Sequence, residues 1–415
     1  MVIRFIPVRQ NFPHRRLNDI PGAVQRELAA SGTAKPGSRV AIGVGSRGIS
    51  NLATIVRAVV DYFKASGAQP FLFPAMGSHG AASAEGQANV LAHYGIDEAA
   101  MGCPVVSRFE AVSPGATPEG IETFAGKDAW ESDGIFLINR VKWHTSFEGE
   151  IESGVAKMLA LGVGKMEGAR TCHGHARRLG MTPVIRSVAA YLIATGKILG
   201  GLAILEDAYH DTAQVTALPA AGLIDREIEL LKLAKSWKAG LPVGALDILI
   251  VDEIGKNISG TGMDLKIVNR GVHGQYNPYA DTARVERIYV RGLSGLSYGN
   301  GVGTGLADVI HDRVLGRLDV NAGRVNARTS GSLAAVRTPL HFSSDRECLD
   351  LLYATVGKFD PRDVTVGWIR NTLELESVAL SENLAGEIAT NPKLQIVGPP
   401  GATPFDTGGG LISPW

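Results

Sequence analysis

The chain has 415 residues, which is long for one hydrophobic core and predicts two domains. Its formal net charge is zero, so neither nucleic-acid binding nor an acidic tail is indicated. No apolar run approaches the ~20 residues that span a bilayer, the first residues lack the apolar core of a signal peptide, and three widely spaced cysteines form no disulfide framework, so we expect a cytoplasmic protein without a membrane partner.

Strands and helices are predicted to alternate along the first half of the chain. An apolar run that begins at Arg39 ends in glycines, and apolar residues at helical spacing follow from Leu52 to Phe63. Further apolar runs lie at 69–76, 134–141 and 200–207, with helical patterns between them. This alternation predicts βαβ units and a doubly wound, mostly parallel sheet.

A second α/β domain is predicted after a linker at 238–245, where the sequence KAGLPVGA is followed by a new apolar strand. The predicted domains are therefore 1–240 and 246–395, with an irregular tail at 396–415. In doubly wound sheets, ligands bind beyond the carboxyl ends of the strands. We accordingly expect the active site in the cleft between the two α/β domains.

A glycine-rich turn at 43–48 satisfies the G-x-G-x-x-G pattern between a strand and a helix. The dinucleotide-binding version also needs an acidic residue at the end of the next strand, but that strand ends at 73–76 without a carboxylate. A turn whose amides, together with Ser46 and Arg47, bind a single phosphate fits better. A tight turn with a surface arginine is the structural alternative.

Two histidines follow predicted strands and are candidates for acid–base chemistry. His79 stands between glycines, which leave the imidazole open to approach, and His144 comes directly after the run at 134–141. Imidazole titrates near neutral pH and can serve as acid or base. Glu148 and Glu150 could orient the His144 ring, but solvated loop charges are the favoured interpretation.

The stretch 153–178 contains Lys157, Lys165, His173 and His175 among many small residues. Apolar neighbours should lower the pKa of Lys157 and make its neutral amine nucleophilic. The His173-x-His175 pair could ligate zinc, copper or nickel. Anion binding by a basic loop, or simple surface charge, remains open as the alternative.

Together these residues resemble the nickel-pincer-nucleotide-dependent lactate racemase (LarA-like) family. Its members carry an arginine in a turn after an early strand, a Gly-Ser/Thr-His motif, a second histidine, a Ser-Gly-x-x-Lys motif and another histidine downstream. The resemblance covers roughly residues 35–205. The matching residues here are Ser46-Arg47, Gly77-Ser78-His79, His144, Ser153-Gly154-Val155-Ala156-Lys157 and His173.

The resemblance implies a cofactor, the mononucleotide of pyridinium-3,5-bisthiocarboxylic acid carrying Ni(II). It implies covalent attachment through Lys157 and a nickel ligand at His173. Ser46, Arg47 and Lys165 would be further cofactor-binding residues. Cofactor-maturation enzymes are then expected partners.

The same resemblance implies a 2-hydroxy acid racemase or epimerase that works by proton-coupled hydride transfer to the cofactor, with His79 and His144 as the acid–base pair. A redox or transhydrogenase member of the family would use the same residues. The alternative outside this chemistry is a protein of the same fold that binds a phosphate, a nucleotide or a metal.

Departures from the family pattern concern the substrate. About three additional residues separate His144 from the Ser-Gly-x-x-Lys motif, and Gly80 replaces the usual arginine. The counterpart of a second-domain motif, at 256–264, lacks the family's tyrosine–glutamine pair. A substrate other than lactate is therefore expected, with Lys266 and Arg270 as candidates for binding its carboxylate.

Overall fold

The computed structural model describes residues 3–31, 35–45, 48–77, 79, 83–145, 147–402 and 405–415. The chain divides into two compact units. The first unit is His14–Lys238, and the second unit combines Met1–Pro13 with Ala239–Trp415. The division falls at the start of the predicted linker. The first thirteen residues, however, lie with the second unit, because the strand that they form pairs with strands from the C-terminal part of the chain.

The strand β1 (Arg4–Gln10) precedes the first unit. Among the described residues, no helix has the length and apolar character needed to cross a membrane. The elements of the first unit are α1 (Ile20–Ser31), β2 (Arg39–Val44), α2 (Leu52–Ala65), β3 (Gln69–Pro74), α3 (Ala84–His93), α4 (Glu98–Met101), β4 (Ala111–Ala116), β5 (Glu122–Gly126), α5 (Lys127–Trp130), β6 (Gly134–Arg140), α6 (Val155–Lys157), a π-helical turn (Met158–Gly162), α7 (Lys165–Leu179), α8 (Met181–Ala194), β7 (Ile198–Glu206), β8 (Thr212–Pro219) and α9 (Leu223–Ser236).

The main sheet of the first unit has the strand order β3-β2-β6-β7-β8 within the described residues. β2 runs parallel to β3 and β6, and β6 runs parallel to β7, whereas β8 is an antiparallel edge strand. In the register, Val44 lies opposite both Pro74 and Ile138. The predicted doubly wound, mostly parallel sheet is thus confirmed, and the carboxyl ends of β2, β3 and β6 meet at one edge.

Burial in the first unit follows the hydrophobic pattern of the sequence. Every residue of β2 and of β3 after the first is buried, as expected for parallel strands covered on both faces. Phe63 of α2 packs edge-to-face against Phe136 of β6, with their ring centroids 5.2 Å apart. Its ring also lies edge-to-face to that of Tyr62, at a centroid distance of 5.7 Å. The apolar positions predicted to form the inner face of α2 are all buried: Leu52, Ile55, Val56, Val59, Val60 and Phe63.

The second unit is also α/β, built on a sheet with the order β12-β11-β10-β9-β13-β14-β1-β15, in which β16 pairs with β1, among the residues described. Its strands run parallel from β12 to β13 and antiparallel beyond. Its elements after the linker are β9 (Ala245–Val251), β10 (Arg284–Val290), β11 (Val309–His311), α10 (Asp312–Leu315), α11 (Val320–Ser330), β12 (Leu340–Phe342), α12 (Asp345–Thr355), β13 (Val366–Ile369), β14 (Ser377–Ser381), α13 (Ala385–Thr390), β15 (Leu394–Ile396) and β16 (Gly401–Ala402).

The predicted irregular tail is bonded to the second unit. Arg291 Nη2 donates to the carbonyl oxygen of Leu411 at 2.5 Å, and Leu411 N donates to Asp345 Oδ2 at 2.7 Å. The indole of Trp415 donates to Asp252 at 2.7 Å. Burial alone would raise the pKa of Asp345, but hydrogen bonds, first of all from Arg291, lower that pKa to about 2. The tail thus completes a buried polar network.

Candidate active site

Three of the segments singled out in the sequence leave the first unit's sheet at the same edge. β2 leads into the glycine-rich turn, β3 leads into the turn that carries His79, and β6 leads into the loop that carries His144. Ser46 and Arg47 lie outside the described residues, so their predicted phosphate contacts stay predictions. The flanking residues Gly45 and Gly48 are described.

Residues 153–165, here named the Lys157 segment, form α6, the π-helical turn and the start of α7. Lys157 is partly buried, and its Nζ lies 5.3 Å from the centre of the Phe147 ring. A π-helical turn inserts a residue into the helical repeat and is often found at functional sites. In this segment it directly follows Lys157.

A buried carboxylate caps the first turn of the Lys157 segment. Glu227 Oε2 accepts from Val155 N at 2.5 Å and from Ala156 N at 3.1 Å. Burial raises the pKa of Glu227 to about 7, although these backbone hydrogen bonds oppose the rise. A Cβ on Gly154 would lie 2.4 Å from the Glu227 carboxyl carbon, so a larger residue here would displace the capping carboxylate.

Gly45 allows the glycine-rich turn to approach the Lys157 segment closely. A Cβ on Gly45 would lie 3.1 Å from Asn139 Oδ1 and 3.1 Å from Met158 Cε. Asn139 in turn donates from Nδ2 to the carbonyl oxygen of Gly154 at 2.6 Å. The start of the predicted phosphate turn therefore packs against the residue next to Lys157.

The other flank of the glycine-rich turn is held by polar contacts. Gly48 N donates to the Tyr94 hydroxyl at 3.1 Å, and the carbonyl oxygen of Gly48 accepts from Arg140 Nη1 at 3.2 Å. Arg140 forms an ion pair with Glu206, whose other oxygen accepts from Ser50 N at 2.8 Å. These contacts fix the chain on the helix side of the turn.

The His79 turn is bonded both to the Lys157 segment and to α3. Gly77, with φ of +59°, donates from its N–H to the carbonyl oxygen of Gly162 at 3.1 Å. His79 is partly buried, and its N–H donates to the carbonyl oxygen of Met76 at 3.2 Å. Gln87, fully buried in α3, donates from Nε2 to the carbonyl oxygens of Gly77 at 2.8 Å and His79 at 3.3 Å.

The His144 ring lies near Lys157 through a shared aromatic neighbour. The imidazole stacks on the ring of Phe147, with centroids 4.3 Å apart and an interplanar angle of 29°. The amine of Lys157 faces the same ring. His144 is partly buried, as are Phe147 and Lys157. The structure thus brings His144 and Lys157 together.

The carboxylate that holds the His144 backbone is Glu152. It accepts from His144 N at 2.5 Å and pairs with Lys235 Nζ at 2.5 Å, and its side chain is fully buried. Glu150, by contrast, is exposed and pairs with Arg186 at the surface. For Glu150 this agrees with the favoured interpretation of a solvated loop charge.

His173 lies on α7, in the electrostatic field of Lys157. Its side chain is exposed at the surface, yet desolvation, followed by the positive charges of Lys157 and Arg177, lowers its pKa. Positions two apart on a helix do not face each other, so His173 and His175 do not form a paired metal site. Among the residues that the structure describes, no group of three or more His, Cys, Asp or Glu side chains could hold a metal ion.

The sequence predicts Lys165 as a cofactor contact, but its amine faces the protein interior. The side chain is buried, and Nζ donates to the carbonyl oxygen of Pro74 at 2.7 Å and to Gln87 Oε1 at 3.2 Å. Burial lowers the pKa of Lys165 to about 8. The lysine therefore supports the end of β3 and the side chain that holds the His79 turn.

The two predicted substrate residues are buried in the second unit. The guanidinium of Arg270 donates to the carbonyl oxygens of Val285 at 2.6 Å and Glu286 at 3.0 Å, and to Asp308 at 3.2 Å. Lys266 is 4% exposed and has its amine 5.9 Å from the ring centre of Tyr279. Both side chains thus make contacts within the second unit, and their role in binding a substrate carboxylate stays a prediction.

Sequence reasoning missed three supporting side chains, namely Gln87, Glu152 and Glu227. A signal existed for Glu227, which falls in the buried stripe of α9 with Leu223 and Leu231, at a spacing of four residues. Gln87 likewise shares the buried face of α3 with Leu91. A polar residue on the apolar face of a helix is the feature that could have identified both.

Comparison with known proteins gives a relation at the level of fold. No protein-family model and no curated protein matches the chain. Among solved structures, the chain is similar to the lactate racemase apoprotein from Thermoanaerobacterium thermosaccharolyticum, with a TM-score of 0.52 and 12% sequence identity, over 89% of this chain and 99% of that chain. The two proteins therefore share a fold over nearly their whole lengths.

Proposed function

We propose that this protein is a racemase or epimerase of small 2-hydroxy acids that binds a nickel-pincer nucleotide in its first unit. The observation that carries the proposal is the grouping of Lys157 with His144, through Phe147, and with His173, whose pKa Lys157 helps to lower. The fold shared with a lactate racemase apoprotein supports the same reaction class.

The residues present fit such a cofactor. Covalent attachment needs an amine, which Lys157 supplies, and nickel needs a neutral imidazole, the form that a lowered pKa favours at His173. Ser46 and Arg47, in the turn after β2, would hold the phosphate. When bound, the cofactor supplies a reversible acceptor for the hydride on the substrate carbon.

His79 and His144 would move the hydroxyl proton of the substrate. A secondary alcohol can give up its hydride only if its hydroxyl proton leaves as well, and the two enantiomers present that hydroxyl on different sides of the carbon. Two bases are therefore needed, and imidazole suits the task near neutral pH. Gln87 and Glu152 hold the backbone at these two histidines.

Covalent attachment and nickel binding can be tested on protein from a host that makes the cofactor, set against protein from one that does not. The wild type should gain the cofactor mass and nickel, and Lys157→Ala should lose both while still folding. Lys232→Ala, an exposed lysine on α9, is the control and should keep the adduct. His173→Ala should keep the adduct and lose much of the nickel, whereas His175→Ala on the same helix should keep both.

The acid–base roles are tested on the same preparations. His79→Ala and His144→Ala should retain adduct and nickel and lose turnover by about 10²–10⁴-fold, the usual contribution of a general acid or base. Active protein with an unmodified Lys157 and without nickel would refute the proposed chemistry. Loaded protein that oxidises a hydroxy acid with a second substrate, but does not racemise it, would indicate a redox member instead.

A further inference from the structure

Lys165 combines two features that oppose folding. It is 2% exposed, and within the described part of the chain no carboxylate lies at ion-pair distance from its amine. Its backbone φ of +54° lies in the left-handed region, which non-glycine residues seldom adopt. Costs of this kind persist where the surrounding structure requires the residue in that place.

The amine of Lys165 determines which way the amide of Gln87 points. A lysine ammonium has donors only, so the atom that Gln87 presents to it must be the amide oxygen. The amide NH₂ is then directed to the carbonyl oxygens of Gly77 and His79, which accept from it at 2.8 and 3.3 Å. Lys165, Gln87 and the His79 turn thus form one continuous chain of hydrogen bonds.

Lys165 also joins this chain to two other parts of the site. Its amine holds the last residue of β3, Pro74, so the strand end and the turn that follows it share one anchor. Its backbone begins α7, the helix that carries His173. Gly77 is in addition bonded to Gly162, five residues after Lys157.

We propose that Lys165 is a positioning residue for His79 and acts through the amide of Gln87. The inference rests on the proposed function only in that His79 is there given an acid–base role. In this role Lys165 does not contact the substrate or the cofactor. A residue that merely filled space could be replaced by methionine without any effect on His79.

The decisive variant is Gln87→Glu. The new carboxylate still accepts from Lys165 and gives its buried ammonium a counter-charge. It has no N–H to give, however, and its charge repels the carbonyl oxygens of Gly77 and His79. Lys165→Met removes the donor at the other end of this chain of hydrogen bonds. The control is Lys197→Met, because Lys197 also donates to a backbone carbonyl of the first unit, that of Ser132 at 2.8 Å, outside this chain of hydrogen bonds.

The measurements use apoprotein, so they need no cofactor. Histidine labelled with ¹³C at Cε1 gives one resonance per ring, and His79→Gln identifies that of His79. Gln87→Glu and Lys165→Met should both shift this resonance across its pH titration and speed hydrogen exchange at Gly77 by about tenfold. Lys197→Met should leave both unchanged.

In cofactor-loaded protein, the two variants should lower kcat by up to about 10²-fold with little change in KM, as expected when a catalytic group is misplaced. An unchanged His79 resonance in Gln87→Glu would overturn the inference, as would a Lys165→Met variant that only melts at a lower temperature. If Lys165→Met does not fold, Gln87→Glu decides alone. If no adduct formed on Lys157, the proposed function would fail. The NMR shift of His79 in the apoprotein variants could still be measured and would test this inference separately.

Discussion

Desolvation lowers the pKa of His173 first of all, and the next contribution comes from the lysine proposed to carry the cofactor. Desolvation and the charges of Lys157 and Arg177 all favour the neutral ring. Attachment of an acyl-type group would neutralise the amine of Lys157 and leave Arg177 as the nearby cation. The two residues are therefore coupled electrostatically before any metal is present.

Replacing Lys157 by methionine should raise the pKa of His173 in the apoprotein. Removal of a positive charge makes the imidazolium less costly, so the ring should hold its proton to a higher pH than in the wild type. An NMR titration of the His173 ring measures the change, and Lys232→Met on α9 serves as the control. If the wild type, Lys157→Met and Lys232→Met gave the same titration curve, the charge of Lys157 would not act on His173. That result would weaken the proposed cofactor site.

The sequence drew attention to the candidate catalytic histidines but not to the side chains that hold their backbone. His79 and His144 follow apolar strands, and the strand-end rule places them at one edge of a parallel sheet. Glu152 supports His144 from only eight residues away, but the chain first turns back through a bridge between Lys142 and Ser153. Linear spacing does not show such a reversal, and from the sequence the nearer Glu148 and Glu150 are the carboxylates expected close to His144.

At the scale of elements, the three-residue helix α6 depends on a partner that is distant in sequence. The amides of Val155 and Ala156 have no preceding turn to bond, and Glu227 of α9 accepts from both. The bonds favour an ionised carboxylate while burial opposes it, and burial prevails because the pKa of Glu227 rises to about 7. The cap is therefore sensitive to pH within the physiological range.

Stability should fall as the pH rises through about 7, because of Glu227. The folded protein holds the carboxyl proton of Glu227 more tightly than the unfolded chain does, because the pKa of this group is about 7 when folded and near 4.5 when unfolded. The resulting stabilisation is complete below pH 4.5 and is lost as the pH rises through the folded pKa. From this difference in pKa, the contribution of Glu227 to the free energy of unfolding changes by at most about 3 kcal/mol. Urea unfolding at pH 5 and pH 8 should show a smaller difference for Glu227→Gln than for the wild type.

The matched control for this pH effect is Glu229→Gln, an exposed carboxylate on the same helix that pairs with Lys232. It should behave like the wild type. A Glu227→Gln variant whose stability changes with pH as much as that of the wild type would show that Glu227 titrates in the ordinary range and that burial does not control it.

Helices and strands with a strong hydrophobic periodicity were predicted well. Short strands that form only by pairing with a strand far away in the sequence were not. The apolar run at 39–44 and the helical spacing from Leu52 to Phe63 match β2 and α2, because burial on both faces or on one helical face leaves a direct mark on sequence. β15 and β16 are two or three residues long and exist because they pair with β1. So short a segment carries no period of its own.

At the scale of the whole molecule, the two units differ in how the chain builds them. Among the described residues, those in the hydrophobic clusters of the first unit all lie between 14 and 238, one continuous stretch. Those of the second unit include Phe5, Ile6 and Val8, which come from β1. β1 lies between β14 and β15, so its removal would leave unpaired strand edges within the sheet.

A fragment of residues 14–238 should therefore fold by itself, whereas a fragment of residues 239–415 should not. The first should show a cooperative thermal transition by circular dichroism, because its core is complete. The second lacks the buried side chains of β1, each contributing roughly 1.5–3 kcal/mol of burial, which together are comparable to the whole stability of a domain. A peptide of residues 1–13 added in trans should restore the transition, and a scrambled peptide of the same composition should not. Cooperative folding of 239–415 without any peptide would show that β1 is an accessory strand and that the composite second unit is not needed for stability.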